Sequence, residues 1–171
     1  MTPGAPDVAS VTIRPIALAD IEAFAALTDF VMRERRYMAF LEGFPIDEAA
    51  AFVARNLRLG NPQLVADDAG RVVGWCDIRR ETIPVYAHVG HLGMGLLQEY
   101  RGHGIGERLI RTAIDAARAA AFERIELTVY GRNVRAAALY RKVGFVLEGT
   151  RIRGKKLDGD YDDVHMMGLL L

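Results

Sequence analysis

The sequence predicts a single domain of the α/β class, in which a mixed sheet is flanked by helices. Three observations predict it: segments that alternate apolar and polar residues, segments with an apolar stripe at helical spacing, and a glycine-rich turn that joins a strand directly to a helix. The chain has 171 residues, of which 51% are apolar, so it is long enough for one sizeable core. No repeat or linker divides it.

The first half of the chain predicts one strand, two helices and a hairpin. Residues 1–9 are rich in Pro, Gly and Ala and are expected to form a flexible N-terminus before a domain over 10–171. Asp20 and Asp47 are each expected to begin a helix, because a carboxylate accepts hydrogen bonds from the free N–H groups of a first turn. The predicted strands are 11–14, 63–66 and 71–79, with a hairpin turn at 67–70.

The second half predicts the remaining strands around two helices. Pro84 is expected to open a strand whose glycines at 90, 93 and 95 indicate a bulge, or a face on which a ligand lies closely. Asn133 is expected to cap a short helix that reaches Lys142 and ends at Gly144. The other predicted elements are a helix over 105–121, a strand over 125–129, a strand from Phe145, a polar connection over 151–160 and a last strand over 163–171.

The order of these elements decides the type of sheet. It runs strand, two helices, three strands, helix, strand, helix, two strands, and a helical crossover links the strands on either side of residues 104–122. About six to seven strands, mostly antiparallel and flanked by about four helices, are therefore expected.

Composition excludes several classes of protein. The 22 basic and 22 acidic residues give no net charge, which argues against a nucleic-acid partner held by bulk positive charge. No apolar run approaches the ~18 residues that span a membrane, and the first residues lack the pattern of a secretory signal. The single cysteine, Cys76, lies in an apolar segment and is expected to be buried. A cytoplasmic protein without a membrane partner is expected.

A glycine-rich loop at 98–106 is the strongest local signal. Gly102, Gly104 and Gly106 alternate between a strand-like segment and a helix start. The N-terminus of a helix offers about four free N–H groups and the positive end of the helix dipole, so it attracts anions. Arg101 adds a cation at the turn. The loop therefore predicts a site for pyrophosphate.

The spacing of the loop excludes two nucleotide-binding motifs. A Walker A loop needs Lys and then Ser or Thr after its last glycine, whereas Glu107 and Arg108 follow here. The dinucleotide fingerprint needs glycines spaced G-x-G-x-x-G, which this loop does not have. The pattern that fits is Arg-x-x-Gly-x-Gly, from Arg101, Gly104 and Gly106. An ordinary strand-to-helix turn with several glycines is the alternative.

A second motif follows after one strand. It reads N-x-x-A-x-x-L-Y-x-K-x-G-F, formed by Asn133, Ala136, Leu139, Tyr140, Lys142, Gly144 and Phe145. Together the two motifs resemble those of the GCN5-related N-acetyltransferase (GNAT) superfamily, over roughly residues 10–171. The segment 159–166 is similar to the ribosomal-protein-alanine and related small-molecule acetyltransferase branch. The resemblance implies a GNAT fold and acetyl-CoA as co-substrate, without a metal.

The resemblance also implies roles for individual residues toward acetyl-CoA. Met94, Gly95 and Leu96 would lie beside the pantetheine arm, with Asn133 hydrogen-bonded to the same region. Lys142 or Arg141 would reach the ribose phosphate. The residues implied to hold the pyrophosphate through backbone N–H groups are Arg101, Gly102, His103, Gly104, Ile105 and Gly106.

Two side chains are candidates for proton transfer. Tyr140 would sit beside the thioester sulfur, where a phenol can donate a proton to a leaving thiolate whose conjugate acid has a pKa of about 8.5. A core aromatic is the alternative for Tyr140. His91 stands at the strand position where many relatives carry a glutamate, and a histidine there could act as base directly or through water. The alternative for His91, as for His88, is a partly buried histidine bonded to backbone.

The predicted activity is transfer of acetyl from acetyl-CoA to a primary amine of a small molecule, protein or peptide, by direct attack in a ternary complex. Glu34 and Tyr37 fall where the superfamily builds its acceptor pocket, although a solvated helix face explains them equally well. The resemblance also implies a homodimer as one assembly. The rival predictions are a non-catalytic acyl-CoA sensor and a nucleotide-binding domain.

Overall fold

Seven strands form one mixed sheet with two helices on each face in the computed structural model, which describes residues 8–171. The predicted fold class and element order are confirmed. The segment predicted to be flexible, 1–9, lies outside the described residues except for positions 8 and 9. The elements are β1 (Thr12–Pro15), α1 (Ile21–Arg33), α2 (Ile46–Leu59), β2 (Gln63–Asp68), β3 (Arg71–Arg80), β4 (Val89–Leu96), α3 (Ile105–Ala119), β5 (Arg124–Tyr130), α4 (Val134–Lys142), β6 (Val146–Leu157) and β7 (Asp160–Leu170).

The sheet order is β1-β2-β3-β4-β5-β7-β6, and one pair of neighbours differs from the rest. Strands β4 and β5 are parallel, whereas every other neighbouring pair is antiparallel. A parallel pair needs a crossover connection, and α3 supplies it. The sheet is therefore built from hairpins on each side of a single helical crossover.

Helix α3 covers one face of the sheet with the apolar stripe that the sequence predicts. Ile105, Leu109 and Ile110 are completely buried, as are Ala113 and Ala117 further along the helix. Each fully buried Leu or Ile contributes about 1.5–3 kcal/mol to stability. Helix α3 thus fixes the glycine loop, which immediately precedes it, against the centre of the sheet.

Helices α1 and α2 pack on the opposite face around an aromatic cluster. The Phe24 ring of α1 stacks on Phe52 of α2 with centroids 6.0 Å apart, and meets Trp75 of β3 edge-on at 6.1 Å. Trp75 is buried. Such aromatic pairs contribute about 0.5–1.5 kcal/mol each beyond the area they bury.

The glycines of β4 do not form a bulge. The register between β3 and β4 is unbroken from the Arg80 and Gly90 pair to the Gly74 and Leu96 pair. An added Cβ at Gly95 would lie 2.3 Å from the Trp75 ring, and one at Gly90 would lie 2.5 Å from Ile78. The glycines are needed because large side chains of β3 occupy the space above them.

Two strand predictions were wrong at their ends. Residues Pro84–Tyr86 form a short 3-10 turn, and β4 begins only at Val89. Strand β6 runs through the predicted polar connection to Leu157 and turns at Asp158 and Gly159, whose φ angles are 50° and 88°. As the edge strand of the sheet, β6 is largely exposed, so it lacks the alternation by which strands are recognised.

Of the three predicted caps, Asn133 alone makes the expected capping hydrogen bond. Helix α1 begins after Asp20, but that carboxylate bonds Arg14 and the Ala17 N–H instead of the first turn. Helix α2 begins one residue before Asp47, which therefore lies within the first turn. Asn133 does cap α4, because its side-chain oxygen accepts a hydrogen bond from Ala136 N at 3.3 Å.

No helix within residues 8–171 is long and apolar enough to cross a membrane.

Candidate active site

A gap opens between β4 and β5 at the centre of the sheet. The two strands pair only from Val89 to His91 on β4 and from Arg124 to Glu126 on β5. Beyond those rungs the strands diverge, and the gap between them is part of a cleft of about 460 Å³. The cleft is lined by Arg79, His91, Leu92, Glu126, Leu127, Thr128, Glu148, Arg151, Met166 and Met167.

The backbone of β4 presents hydrogen-bonding groups to this gap. Leu97 N donates to Val73 O at 2.9 Å, so odd-numbered residues of β4 bond toward β3. Because backbone groups alternate in direction along a strand, the N–H and C=O groups of Leu92, Met94 and Leu96 point toward the gap. An extended chain with amide groups could therefore pair with this edge. Met94 and Leu96 are two of the positions that the sequence assigns to pantetheine.

The glycine loop ends in a run of free N–H groups. Gly102 and Gly104 have φ angles of 86° and 81°, which glycine adopts without strain. The first helical bond of α3 runs from Arg108 N to Gly104 O. The backbone N–H groups of residues 102–107 donate to no acceptor within the described chain. Six neighbouring donors at a helix N-terminus suit a pyrophosphate, as the sequence predicts.

The side chain of Arg101 is engaged by the protein rather than free at the turn. Its guanidinium bonds both carboxylate oxygens of Glu34, at 2.8 and 2.6 Å, and donates to Leu96 O at 2.9 and 2.6 Å. It also lies 5.3 Å from the centroid of the Tyr37 ring. Arg101 therefore anchors the end of β4 to helix α1 and the residues that follow it.

This arrangement also places the two residues predicted to bind the acceptor. The Glu34 side chain is 15% exposed and is consumed by its ion pair with Arg101. Tyr37 is 38% exposed beside that pair. The two side chains thus lie next to the end of β4, and the tyrosine ring is the more accessible of the two.

A different arginine lies free beside the glycine loop. A Cβ added at Gly102 would lie 3.8 Å from Nη1 of Arg135, the second residue of α4. Arg135 is exposed and has no ion-pair or hydrogen-bond partner among the described residues. Lys142, by contrast, donates to Glu107 at 2.6 Å. Arg135 occupies an unspecified position of the second motif, so the motif gave no sign of it.

Tyr140 lies on the face of the sheet covered by α3 and α4. It is 8% exposed, its ring packs 5.9 Å from that of Phe145, and its hydroxyl bonds no residue that the structure describes. Burial raises the pKa of Tyr140 well above its ordinary value, and the neighbouring Cys76 thiol adds to the effect. The hydroxyl therefore stays protonated at neutral pH, which is the form required of a proton donor.

His91 lies on the other face, at the last rung before the gap. Its Nε2 is 3.1 Å from Glu81 Oε2, and the imidazole is 43% exposed. A carboxylate partner orients an imidazole, as in catalytic dyads. His88 precedes β4 and is exposed, and so is His103 of the glycine loop. The two candidates for proton transfer, Tyr140 and His91, therefore flank the gap from opposite sides.

An unexpected charged pair lies beside His91. Asp77 of β3 is 4% exposed and accepts from Arg79 Nε at 3.0 Å. Burial raises the pKa of the Asp77 carboxyl to about 6, although the charge of Arg79 opposes this rise. Gly93 makes room for the carboxylate, because an added Cβ there would lie 3.3 Å from Asp77 Oδ1. In the sequence, the only sign of this pair is that two charged residues, Asp77 and Arg79, lie within the predicted strand 71–79.

We expect the substitution Asp77→Asn to change how stability depends on pH. The folded chain holds this proton more tightly than the unfolded chain, so the contribution of Asp77 is greatest below pH 4 and declines as the pH rises toward 6. A difference of about two in pKa corresponds to roughly 3 kcal/mol. Denaturant unfolding at pH 4 and 7 should show the variant gaining stability relative to the wild type by an amount of that order, whereas parallel pH profiles would contradict the prediction.

The sequence model of the acetyltransferase (GNAT) family matches residues 25–145. The chain belongs to this family and is an N-acetyltransferase. The predicted family and enzyme class are therefore confirmed. The matched region contains the gap, the glycine loop and helix α4.

Two relatives and one solved structure illustrate the range of the similarity. The L-amino acid N-acetyltransferase AaaT of Escherichia coli is 34% identical over 64% of this chain and 68% of its own. The N-alpha-acetyltransferase RimI of Mycobacterium tuberculosis is 36% identical over 62% of this chain and 67% of its own. The structure of yncA from Salmonella typhimurium, solved with its cofactor acetyl-CoA, has a TM-score of 0.89 at 20% identity, and the match covers 94% of this chain and 93% of that one.

Proposed function

We propose that this protein transfers the acetyl group of acetyl-CoA to a primary amine by direct attack in a ternary complex. The observation that carries the proposal is the open gap between β4 and β5, which ends beside the free N–H groups of residues 102–107. A ligand with amide groups at one end and phosphates at the other matches both features. The relatives support an amino acid or a protein N-terminus as the acceptor.

The residues suit the pantetheine and pyrophosphate parts of acetyl-CoA. The edge of β4 at Met94 and Leu96 would pair with the pantetheine amides, and Asn133 begins α4 on the side nearest the loop. The N–H groups of the glycine loop would hold the pyrophosphate, with Arg135 as the accessible cation. When bound, acetyl-CoA supplies the activated carbonyl that the amine attacks.

The reaction needs a base for the amine and an acid for the leaving sulfur. His91 would remove one proton from the incoming amine, directly or through water, as the new C–N bond forms. The Leu92 N–H, which faces the gap next to His91, would stabilise the oxygen that gains negative charge. Tyr140 would donate its proton to the sulfur as the C–S bond breaks, leaving an amide and the free thiol of CoA. Because burial raises its pKa, Tyr140 keeps its proton until the sulfur leaves.

A non-catalytic acyl-CoA sensor is a rival prediction from the sequence. It would use the same gap and loop but would not need a proton donor at the position of Tyr140. The hydroxyl of Tyr140 has no protein partner among the described residues, as expected of a group reserved for a ligand. This observation favours the enzyme over the sensor.

The decisive experiment has two stages. Thermal unfolding is measured with saturating acetyl-CoA and, as controls, with ATP and NAD. A ligand at 100 times its Kd stabilises by about 2.7 kcal/mol, or very roughly 5–11 °C for a chain of this size. A rise with acetyl-CoA alone, followed by amine-dependent release of CoA thiol, would support the enzyme. A rise without thiol release from any amine would support the sensor, and a rise with a nucleotide alone would contradict both.

We expect Arg135→Gln to raise the KM for acetyl-CoA about 10-fold or more while changing kcat little. A charge-assisted hydrogen bond contributes about 1.5–3 kcal/mol, and phosphate contacts do not change between ground and transition states. Steady-state kinetics at two salt concentrations would measure the effect. Arg132→Gln is the matched control, because this exposed arginine precedes α4 and bonds Tyr161 O instead. An unchanged KM would remove Arg135 from the phosphate site.

A further inference from the structure

The cleft beside His91 contains Arg79, whose side chain contacts two other residues of the protein. Arg79 uses its Nε to bond the buried carboxylate of Asp77, and its guanidinium carbon lies 5.9 Å from the centroid of the Phe52 ring. The side chain remains 48% exposed, and its two terminal amino groups bond no described residue. Burying a carboxylate costs free energy unless it is paired, and Arg79 provides that pairing for Asp77. Arg79 is therefore fixed in place while its terminal N–H groups stay free, unlike an arginine in an ordinary surface ion pair.

Arg79 and His91 face the same space. They are direct partners in the register of β3 and β4, so their side chains stand next to each other on one face of the sheet. Both line the cleft at the gap, and both line a second cleft of about 270 Å³ under α2. A substrate whose amine meets His91 therefore brings its neighbouring atoms against Arg79.

The opposite wall of the cleft adds a second cation. Arg151 of β6 lines the gap and is exposed, with no ion-pair partner among residues 8–171. The acidic residues of the cleft are already engaged, because Arg124 bonds both Glu126 and Glu148. The accessible cations of this cleft are therefore the guanidinium groups of Arg79 and Arg151, while Glu81 is the acidic group that bonds His91.

We infer that the acceptor is a free α-amino acid, whose carboxylate binds Arg79 and Arg151 while its amine meets His91. This inference rests on the proposed function and names its substrate class. Guanidinium groups bind carboxylates through paired hydrogen bonds. Because Arg79 and His91 are adjacent, the amine and carboxylate must also be close together, as they are on a single α-carbon. A lysine side chain or a polyamine has no carboxylate next to its reacting amine. The first residue of a protein has an amide in place of that carboxylate.

The test compares each amino acid with its own carboxamide. The amide keeps the α-amine and the side chain but removes the negative charge, so it stands in for the first residue of a protein. Initial rates of CoA thiol release are measured for a panel of L-amino acids and for the matching carboxamides. For the best acceptors, kcat/KM of the acid should exceed that of the amide by about 10- to 100-fold.

Variants locate the origin of this preference. Arg79→Gln should reduce the ratio of acid to amide toward one, mostly through the KM of the acid. Arg151→Gln, on the exposed edge strand, should lower the same ratio and cannot disturb the buried Asp77. Arg118→Gln is the control, since this arginine pairs with Asp115 on the surface of α3 and should leave the ratio unchanged.

Each outcome has a distinct meaning. Equal or better turnover of carboxamides by the wild type would overturn the amino-acid inference and leave the transferase intact, with a protein N-terminus as acceptor. Acetyl-CoA binding without thiol release from any amino acid would overturn it as well. A protein that acetyl-CoA does not stabilise at all would overturn the proposed function together with the inference. If the ratio of acid to amide stayed unchanged in both Arg79→Gln and Arg151→Gln, these two arginines would not be the groups that bind the substrate carboxylate.

Discussion

Replacing Tyr140 by Phe should lower kcat by about 100-fold or more and leave acetyl-CoA affinity nearly unchanged, because general acid catalysis typically contributes 10²–10⁴-fold. The substitution removes only the hydroxyl, and the ring keeps its packing against Phe145. That hydroxyl bonds no described residue, so its loss should not destabilise the fold. Steady-state kinetics with a rapid amine acceptor, together with thermal unfolding in acetyl-CoA, would measure both effects.

Tyr100 provides the matched control for this prediction. It is also a buried tyrosine, but its hydroxyl donates to Asp68, at the end of β2, at 2.7 Å. Tyr100→Phe should therefore lower stability by about 1 kcal/mol with little effect on kcat. Tyr140→Phe should therefore lower kcat without lowering stability, and Tyr100→Phe should lower stability without lowering kcat. Normal turnover by Tyr140→Phe would contradict the role of Tyr140 as proton donor and leave it as a core aromatic residue.

The parts of the fold that sequence could predict are those set by local chemistry. The α3 stripe from Ile105 to Ala117 and the Asn133 cap depend on residues within a few positions of one another. The same holds for the turn of the glycine loop, where positive φ angles need glycine. The wrong strand ends have a different cause. At Leu157 the strand lies on the edge of the sheet, where burial imposes no alternation.

The parts of the site that sequence could not predict depend on contacts between distant residues. The local sequence places Arg101 at the predicted phosphate site, yet its side chain bonds Glu34, which is 67 positions away. Nothing near Gly93 indicates that its missing side chain leaves space for Asp77. Arg79 becomes part of the site only because the register of two strands sets it beside His91. Charge and hydrogen-bond partners across a sheet follow from topology, which local patterns do not encode.

The substitution Gly104→Val should weaken acetyl-CoA binding by about 100-fold or more. Gly104 has a φ of 81° and ends the loop directly before α3, among the free N–H groups. An added Cβ meets no protein atom within 4 Å, so a side chain would project into open space at the phosphate site. A left-handed conformation also costs a branched residue about 1–2 kcal/mol, so the loop would tend to rearrange. Losing two charge-assisted hydrogen bonds would be enough for the expected loss of affinity, at about 1.5–3 kcal/mol each.

Backbone strain and ligand exclusion can be separated with a second glycine. Gly70, in the turn between β2 and β3, has a φ of 92° and likewise has no atom within 4 Å of an added Cβ. Gly70→Val should therefore suffer a similar loss of stability but bind acetyl-CoA as the wild type does. Calorimetric titration of both variants with acetyl-CoA would measure the difference. If Gly104→Val bound acetyl-CoA normally, the free N–H groups of residues 102–107 could not be the pyrophosphate site. If both variants lost binding equally, the loss would be a general effect of destabilisation, because only one of the two glycines lies beside those donors.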